Sequence, residues 1–242
     1  MSWINRTRVL TALAGGLLAA GSAQAGILVV RSNGPSAGAF PPGKSLDGAG
    51  TITLKQGDVI TILDTTGTRV LRGPGKVAVA GGNAASASGI RALIADTGLR
   101  QTRTGATRGA SDAPPRPTNV WFVDASRGGT VCVVNPANVT LWRPDYAAQG
   151  SLRLTRLADG KSSNVDFGVG QSVRPWPADV PVVDGASYRL DGAGLSAPAT
   201  IRLKLLAAAP ASLDAAAQAL IAHACDIQLD LLVQSTADDP DN

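Results

Sequence analysis

The single histidine and the two cysteines carry the most reactive side chains of this sequence. His223 lies two residues before Cys225, and the other cysteine is Cys132. Helix positions two residues apart point to different faces, so His223 and Cys225 do not make a nucleophile and its base. One histidine and two distant cysteines also lack the spacing of a zinc site. The sequence therefore predicts no catalytic residue, no metal site and no cofactor.

Carboxylates offer another route to catalysis. Four aspartates fall at the ends of predicted strands, namely Asp124, Asp145, Asp166 and Asp184. Aspartate commonly closes a turn at such a position through its own backbone. Two carboxyl groups at a set distance would nevertheless suffice for a glycosidase. A hydrolase built on paired aspartates is therefore kept as a third functional hypothesis.

Tryptophans in the second half of the chain could bind a ligand. Trp121, Trp142 and Trp176 fall there, in a chain with only 4% aromatic residues. An indole exposed on a sheet could stack on a sugar ring, whereas a buried one would fill the core. Trp121 has apolar neighbours and is predicted to be a core residue. Trp176 lies between two prolines, so a core position and a ligand contact at the surface both stay open.

The first 25 residues have the layout of a cleavable signal peptide. Arg6 and Arg8 precede an apolar run over residues 9–20, and small residues occupy Ala23 and Ala25. The apolar run is shorter than the roughly 20 residues needed to cross a bilayer. We expect cleavage after Ala25, export to the periplasm and no membrane anchor on the mature chain. An uncleaved anchor is the alternative.

Export changes how the charge and the cysteines are interpreted. Removing the signal leaves 20 Lys+Arg against 18 Asp+Glu, a net charge of +2. The arginines between residues 91 and 116 are spread through a Gly/Thr/Ala-rich stretch rather than clustered, so no nucleic-acid partner is expected. An even number of cysteines in an oxidising compartment predicts a Cys132–Cys225 disulfide. Two buried thiols are the alternative.

Short apolar runs between Gly and Pro residues indicate a mainly β protein. Residues 26–98 are predicted to form a small β-meander or barrel module that ends in a short helix. Residues 99–117, rich in Arg, Thr, Gly and Pro, are predicted to be a linker. The strands predicted in the first module cover residues 27–30, 51–54, 59–63, 69–71 and 76–79.

Residues 118–235 are predicted to form a β-sandwich, since many short strands follow one another. Ser212 is predicted to cap one C-terminal helix that reaches Cys225. Alternation from Ile227 to Leu231 predicts a closing strand, and residues 236–242 are predicted to be a frayed tail. The predicted sandwich strands are 120–123, 130–134, 139–142, 151–157, 164–169, 187–190 and 200–206.

Two stretches of the first module resemble the FecR domain. Residues 52–64 and 67–71 place a Gly57-Asp58 turn before an apolar strand and then a hairpin, and residues 103–109 are similar to the Thr-then-Arg-Gly segment of that family. The resemblance implies a periplasmic β-rich recognition or scaffolding module without a catalytic residue. The rest is similar to small secreted proteins of alphaproteobacteria, a likeness that transfers no site.

The leading hypothesis is a non-enzymatic periplasmic binding or scaffolding protein, with envelope signalling as its setting. Its partner would be another envelope or inner-membrane protein. The second hypothesis is a cell-wall or glycan-binding protein that uses Trp176.

Overall fold

The computed structural model describes residues 26–65, 67–81, 87–96, 115–192 and 194–237. Over these residues the protein is mainly β, as predicted, with fourteen strands and three α-helices. Among the described helices, none is long and apolar enough to cross a membrane. The predicted signal peptide, the segment 103–109 and most of the predicted linker lie outside the described residues.

Residues 27–78 form two small antiparallel sheets. The first has the order β2-β1-β4-β5, and in the second β3 pairs with β6. The five strands predicted here are confirmed, and β2 is additional. The bounds are β1 Ile27–Asn33, β2 Ser45–Leu46, β3 Thr51–Leu54, β4 Val59–Asp64, β5 Gly67–Arg72 and β6 Gly75–Ala78.

The four-stranded sheet is covered on both faces, which explains the uninterrupted apolar run in β1. Ile27 and Val29 pack in a core with residues of β3 and β4. Leu28 and Val30 belong to a different core, together with residues of the C-terminal helices. A strand covered on both sides has no solvent face, so polar alternation is not needed.

The Gly57-Asp58 turn connects two loops of the first β unit, which comprises residues 27–78. Gly57 has a φ of +86°, which glycine adopts without a steric cost. The buried Asp58 carboxylate accepts the backbone N–H of Ser36 at 2.8 Å and that of Lys55 at 2.5 Å. Asp58 therefore ties the loop after β1 to the turn before β4.

The second β unit, residues 119–205, contains two further sheets that share a core. A five-stranded sheet has the order β11-β10-β13-β14-β8, and a three-stranded sheet has the order β12-β9-β7. One apolar cluster draws side chains from both sheets, including Leu141 of β9 and Leu190 of β13. The bounds are β7 Val123–Asp124, β8 Gly129–Val133, β9 Thr140–Trp142, β10 Gly150–Arg156, β11 Ser162–Phe167, β12 Val173–Pro175, β13 Ser187–Gly192 and β14 Ala199–Leu205.

The strand predicted at 120–123 is wrong over its first three residues, because Asn119 forms a turn instead. The Asn119 Oδ1 accepts the backbone N–H of Trp121 at 2.9 Å, and its Nδ2 donates to two carbonyls at the end of α1 (Ala87–Ile94). Asparagine offers the backbone such an alternative to a strand ladder. Trp121 is a core residue, as predicted, with 7% exposure.

The C-terminus holds two consecutive helices, α2 (Leu213–Ala222) and α3 (Asp226–Thr236). Ser212 caps α2 as predicted, since its side chain accepts the backbone N–H of Ala215 at 3.4 Å. The strand predicted at Ile227–Leu231 is wrong, so there are two C-terminal helices rather than one. The buried residues of α3 recur at helical spacing as far as Thr236. The alternation that predicted a strand holds only from Ile227 to Leu231.

The two helices pack between the β units. They share one core with Leu28 and Leu63 of the first unit and with Trp121 and Cys132 of the second. Thr236, which the sequence places in a frayed tail, is buried, and its hydroxyl lies 2.7 Å from that of Thr68 in β5. The helical pair therefore joins the first β unit to the second.

A disulfide and a buried glutamine attach α3 to β8. The sulfur atoms of Cys132 and Cys225 lie 1.98 Å apart, which agrees with the predicted bond. Gln228 Oε1 accepts the Cys132 N–H at 2.6 Å, and its Nε2 donates to the carbonyls of Cys132 and Val120 at 2.9 and 2.8 Å. Among the described strands β8 pairs only with β14. Gln228 therefore takes the place of a neighbouring strand at the other edge.

Replacing Gln228 by leucine should destabilise the protein strongly. Gln228→Leu leaves one buried N–H and two carbonyls without partners, and each such group costs about 1–3 kcal/mol. We expect a loss of at least about 3 kcal/mol in the free energy of unfolding, measured with guanidinium chloride. The matched control is Gln218→Leu on the exposed face of α2, which should change stability by less than about 0.5 kcal/mol. Equal effects of the two substitutions would contradict this role of Gln228.

The Asp58 turn should make stability depend on pH. Burial raises the pKa of Asp58, but hydrogen bonds from Ser36 and Lys55 outweigh it, so the pKa lies below its ordinary value. A lowered pKa means that the carboxylate stabilises the fold above the unfolded pKa of about 3.9 and loses that effect as pH falls through the folded pKa. Asp58→Asn should therefore be less stable than the native chain at neutral pH, and the gap should narrow below about pH 4. Thermal unfolding midpoints across pH measure this gap, and a gap that is constant with pH would refute the prediction.

Candidate functional site

A groove opens where α3 meets β7, β8 and the end of β9. Its volume is about 390 Å³, within the roughly 300–1,000 Å³ of small-ligand sites. Ile227, Leu231 and Gln234 line one wall, because positions separated by three, four and seven residues share a helix face. Pro115, Arg116 and Pro117 line another part of the groove.

Apolar side chains form most of the lining. Trp142 and Val131 are buried, with 5% and 3% exposure, so packing in the protein holds them in place. Phe122 and Ile227 are half-buried and present part of their surface to the groove. Apolar lining with a few convergent polar groups is the usual composition of a ligand site. The apolar lining consists of Pro115, Pro117, Phe122, Val131, Trp142, Pro144, Ile227 and Leu231.

The polar part of the lining contains two arginines and a short turn. Arg116, Arg127 and Gln234 are exposed. The Asp124 Oδ1 accepts the backbone N–H of Ser126 at 2.9 Å and its hydroxyl at 2.6 Å. Asp124 therefore shapes the turn after β7, as aspartate does at strand ends.

Asp230 connects this side of α3 to both β units. Its carboxylate is bonded to Arg31 of β1, and its other oxygen lies 4.0 Å from the guanidinium of Arg127. The side chain of Arg127 is 49% exposed, which makes that ion pair weak. Arg116 makes no ion pair or hydrogen bond with any described residue. The lining of the groove itself holds two arginines against the one carboxylate of Asp124 and so has a positive balance.

The residues with catalytic potential are not assembled at the groove. His223 is exposed at the end of α2, and Cys225 is bonded to Cys132. Within the described residues, no three His, Cys, Asp or Glu side chains are grouped as metal ligands. The structure thus gives His223 no neighbouring thiol to activate.

The four aspartates considered for hydrolysis have separate surroundings. Asp124 lines the groove, while Asp145 accepts the backbone N–H of Ala147. Asp184 accepts the backbone N–H of Leu205 at 2.8 Å and pairs with Lys204, and these contacts lower its pKa. Asp166 is exposed on β11. A general acid needs a raised pKa, so the lowered pKa of Asp184 disfavours that role for it.

The side chain of Trp176 packs against neighbouring residues of the protein. It is half-buried, its indole meets Tyr188 edge to face with 5.0 Å between ring centroids, and its Nε1 donates to the Val180 carbonyl at 2.6 Å. Trp176 is not among the residues that line the groove. Its role as a ligand contact stays a prediction. Trp142 is the tryptophan that the groove contains.

A conservative substitution separates packing from ligand contact at Trp176. Trp176→Phe keeps an aromatic ring near Tyr188 but removes the N–H donated to Val180, so we expect a loss of about 1–2 kcal/mol in unfolding free energy. Binding to insoluble peptidoglycan should be the same for both proteins in a sedimentation assay. Unchanged stability combined with lost sedimentation would instead make Trp176 a glycan contact.

Comparison with known proteins gives no further identification, since no family model, no curated protein and no solved structure matches this chain.

Proposed function

We propose that this is a non-enzymatic binding or scaffolding protein of the bacterial envelope, and that the groove beside α3 holds its partner. In this proposal a signal peptide is cleaved after Ala25, and the mature protein works in the periplasm with another envelope or inner-membrane protein. The single observation that carries the proposal is the groove of about 390 Å³, with an apolar floor and two arginines, between α3 and the second β unit.

The chemistry of the lining supports binding more than catalysis. Ser126 is the hydroxyl residue of the lining, and its hydroxyl is engaged by Asp124 at 2.6 Å. The described lining contains no histidine, cysteine or lysine that could act as a base or a second nucleophile. Serine nucleophiles are usually activated by a histidine or a lysine within hydrogen-bond reach. The groove therefore has the means to hold a molecule but not those to activate one.

The proposal includes a finer assignment of the two β units. Residues 26–98 would be a FecR-like module that ends in a short helix, supported by the Gly57-Asp58 turn that organises two of its loops. Residues 118–235 would be a β-sandwich with C-terminal helices, supported by the apolar core that two sheets share. In both assignments the groove lies beside α3, at the edge of the second β unit.

Site-specific photocrosslinking in living cells tests the proposal. A benzoylphenylalanine at Gln234 would lie in the groove, and the matched control carries it at Val169, which is 72% exposed on the connection between β11 and β12. Illumination should give a protein adduct from the Gln234 variant and none from the Val169 variant. An adduct that is equally abundant at both positions, or absent at Gln234, would refute the groove as the binding site.

A further inference from the structure

We infer that the groove recognises a short apolar peptide segment that ends in a free carboxylate, the C-terminus of a partner polypeptide. The inference rests on the proposed function and specifies its partner. The carboxylate would lie between Arg116 and Arg127, and the apolar side chains would cover Phe122, Trp142 and Leu231.

The first step is the charge of the groove. Arg116 has no partner among the described residues, and Arg127 is half exposed with its nearest carboxylate at 4.0 Å. Asp124, the carboxylate of the lining, is held by Ser126. Guanidinium groups present paired N–H donors that match a carboxylate. Two such groups without a strong partner suit an anionic end on the ligand.

The second step is the apolar floor and its size. Trp142 and Val131 are fixed by burial, and Leu231 is held on α3 by the attachment of that helix to β8. At about 390 Å³ the groove is near the lower end of the range for small-ligand sites. A groove of this size holds only a few residues of a peptide, and a chain end brings its carboxylate within such a short segment.

The polar groups of the lining distinguish a peptide from a fatty acid as the ligand. Gln234 is exposed and can both donate and accept hydrogen bonds, and the Oδ2 of Asp124, which Ser126 does not contact, is a further acceptor. Backbone amides of a peptide need donors as well as acceptors, whereas a hydrocarbon chain needs neither. The mixture of polar groups among apolar side chains therefore favours a peptide.

A peptide library in two chemical forms tests the inference. Tetrapeptides with apolar residues at all positions are immobilised through their N-termini, once with a free C-terminal carboxylate and once as the carboxamide, and probed with the purified exported protein. We expect retention on carboxylate peptides and not on their amides. Fluorescence anisotropy with the best carboxylate peptide then gives a dissociation constant.

Matched arginine variants locate the carboxylate. Arg116→Gln and Arg127→Gln should each weaken binding of that peptide about tenfold, because each removes a charge-assisted hydrogen bond. Arg153→Gln on β10, exposed and outside the groove, should bind like the native protein. Thermal unfolding midpoints that agree among the three variants ensure that binding, not folding, is measured.

The outcomes separate this inference from the proposed function. Equal retention of carboxylates and amides, or equal effects of the three arginine variants, would overturn the inference. Retention of immobilised dodecanoate with no retained peptide would overturn it in favour of a lipid. A crosslinked protein at Gln234 together with any of these results would still support the proposed binding function. The absence of both the adduct and peptide binding would contradict the inference and the proposed function alike.

Discussion

The hydrogen bonds between Gln228 and the edge of β8 are the constraint on which the arrangement of the molecule depends. β14 pairs with one edge of β8, and Gln228 forms hydrogen bonds with the backbone of Cys132 on the other edge. These backbone groups are buried, and a buried polar group without a hydrogen bond destabilises the fold. The Cys132–Cys225 bond acts at the same place and closes a loop with a sequence separation of 93. By lowering the entropy of the unfolded chain, a bond that closes such a loop stabilises the folded state by about 4–5 kcal/mol. Together they fix the start of α3, while Thr236 at its end meets Thr68 of the first unit.

This placement of α3 creates the groove. One helix face packs in the shared core, and Ile227, Leu231 and Gln234 line the space beside β7 and β9. Asp230, on the same helix, binds Arg31 of the first unit and faces Arg127 of the second. The candidate site therefore lies between α3 and the second β unit, and it depends on the attachment of that helix to β8.

The sequence predicted the elements whose signals are local. The runs at β1 and β4 and the alternation in β10 are complete within a few residues, and Ser212 marks its helix by its own side chain. Prediction from the sequence failed where the local structure depends on contacts with residues far away along the chain. Asn119 forms a turn by bonding to α1, and α3 is helical because its buried face covers β8 and β5. Arg116 lies in the predicted linker and Arg127 lies between two predicted strands, and nothing in their neighbourhood along the chain shows that they line one groove.

Hydrogen–deuterium exchange before and after reduction of the Cys132–Cys225 bond tests most directly whether the attachment of α3 to β8 forms the groove. We expect reduction to accelerate exchange in residues 226–236 and 120–124 together, while β10 and β13 keep their protection. Accelerated exchange in α3 with residues 120–124 unchanged, or an equal loss of protection in β10 and β13, would contradict it.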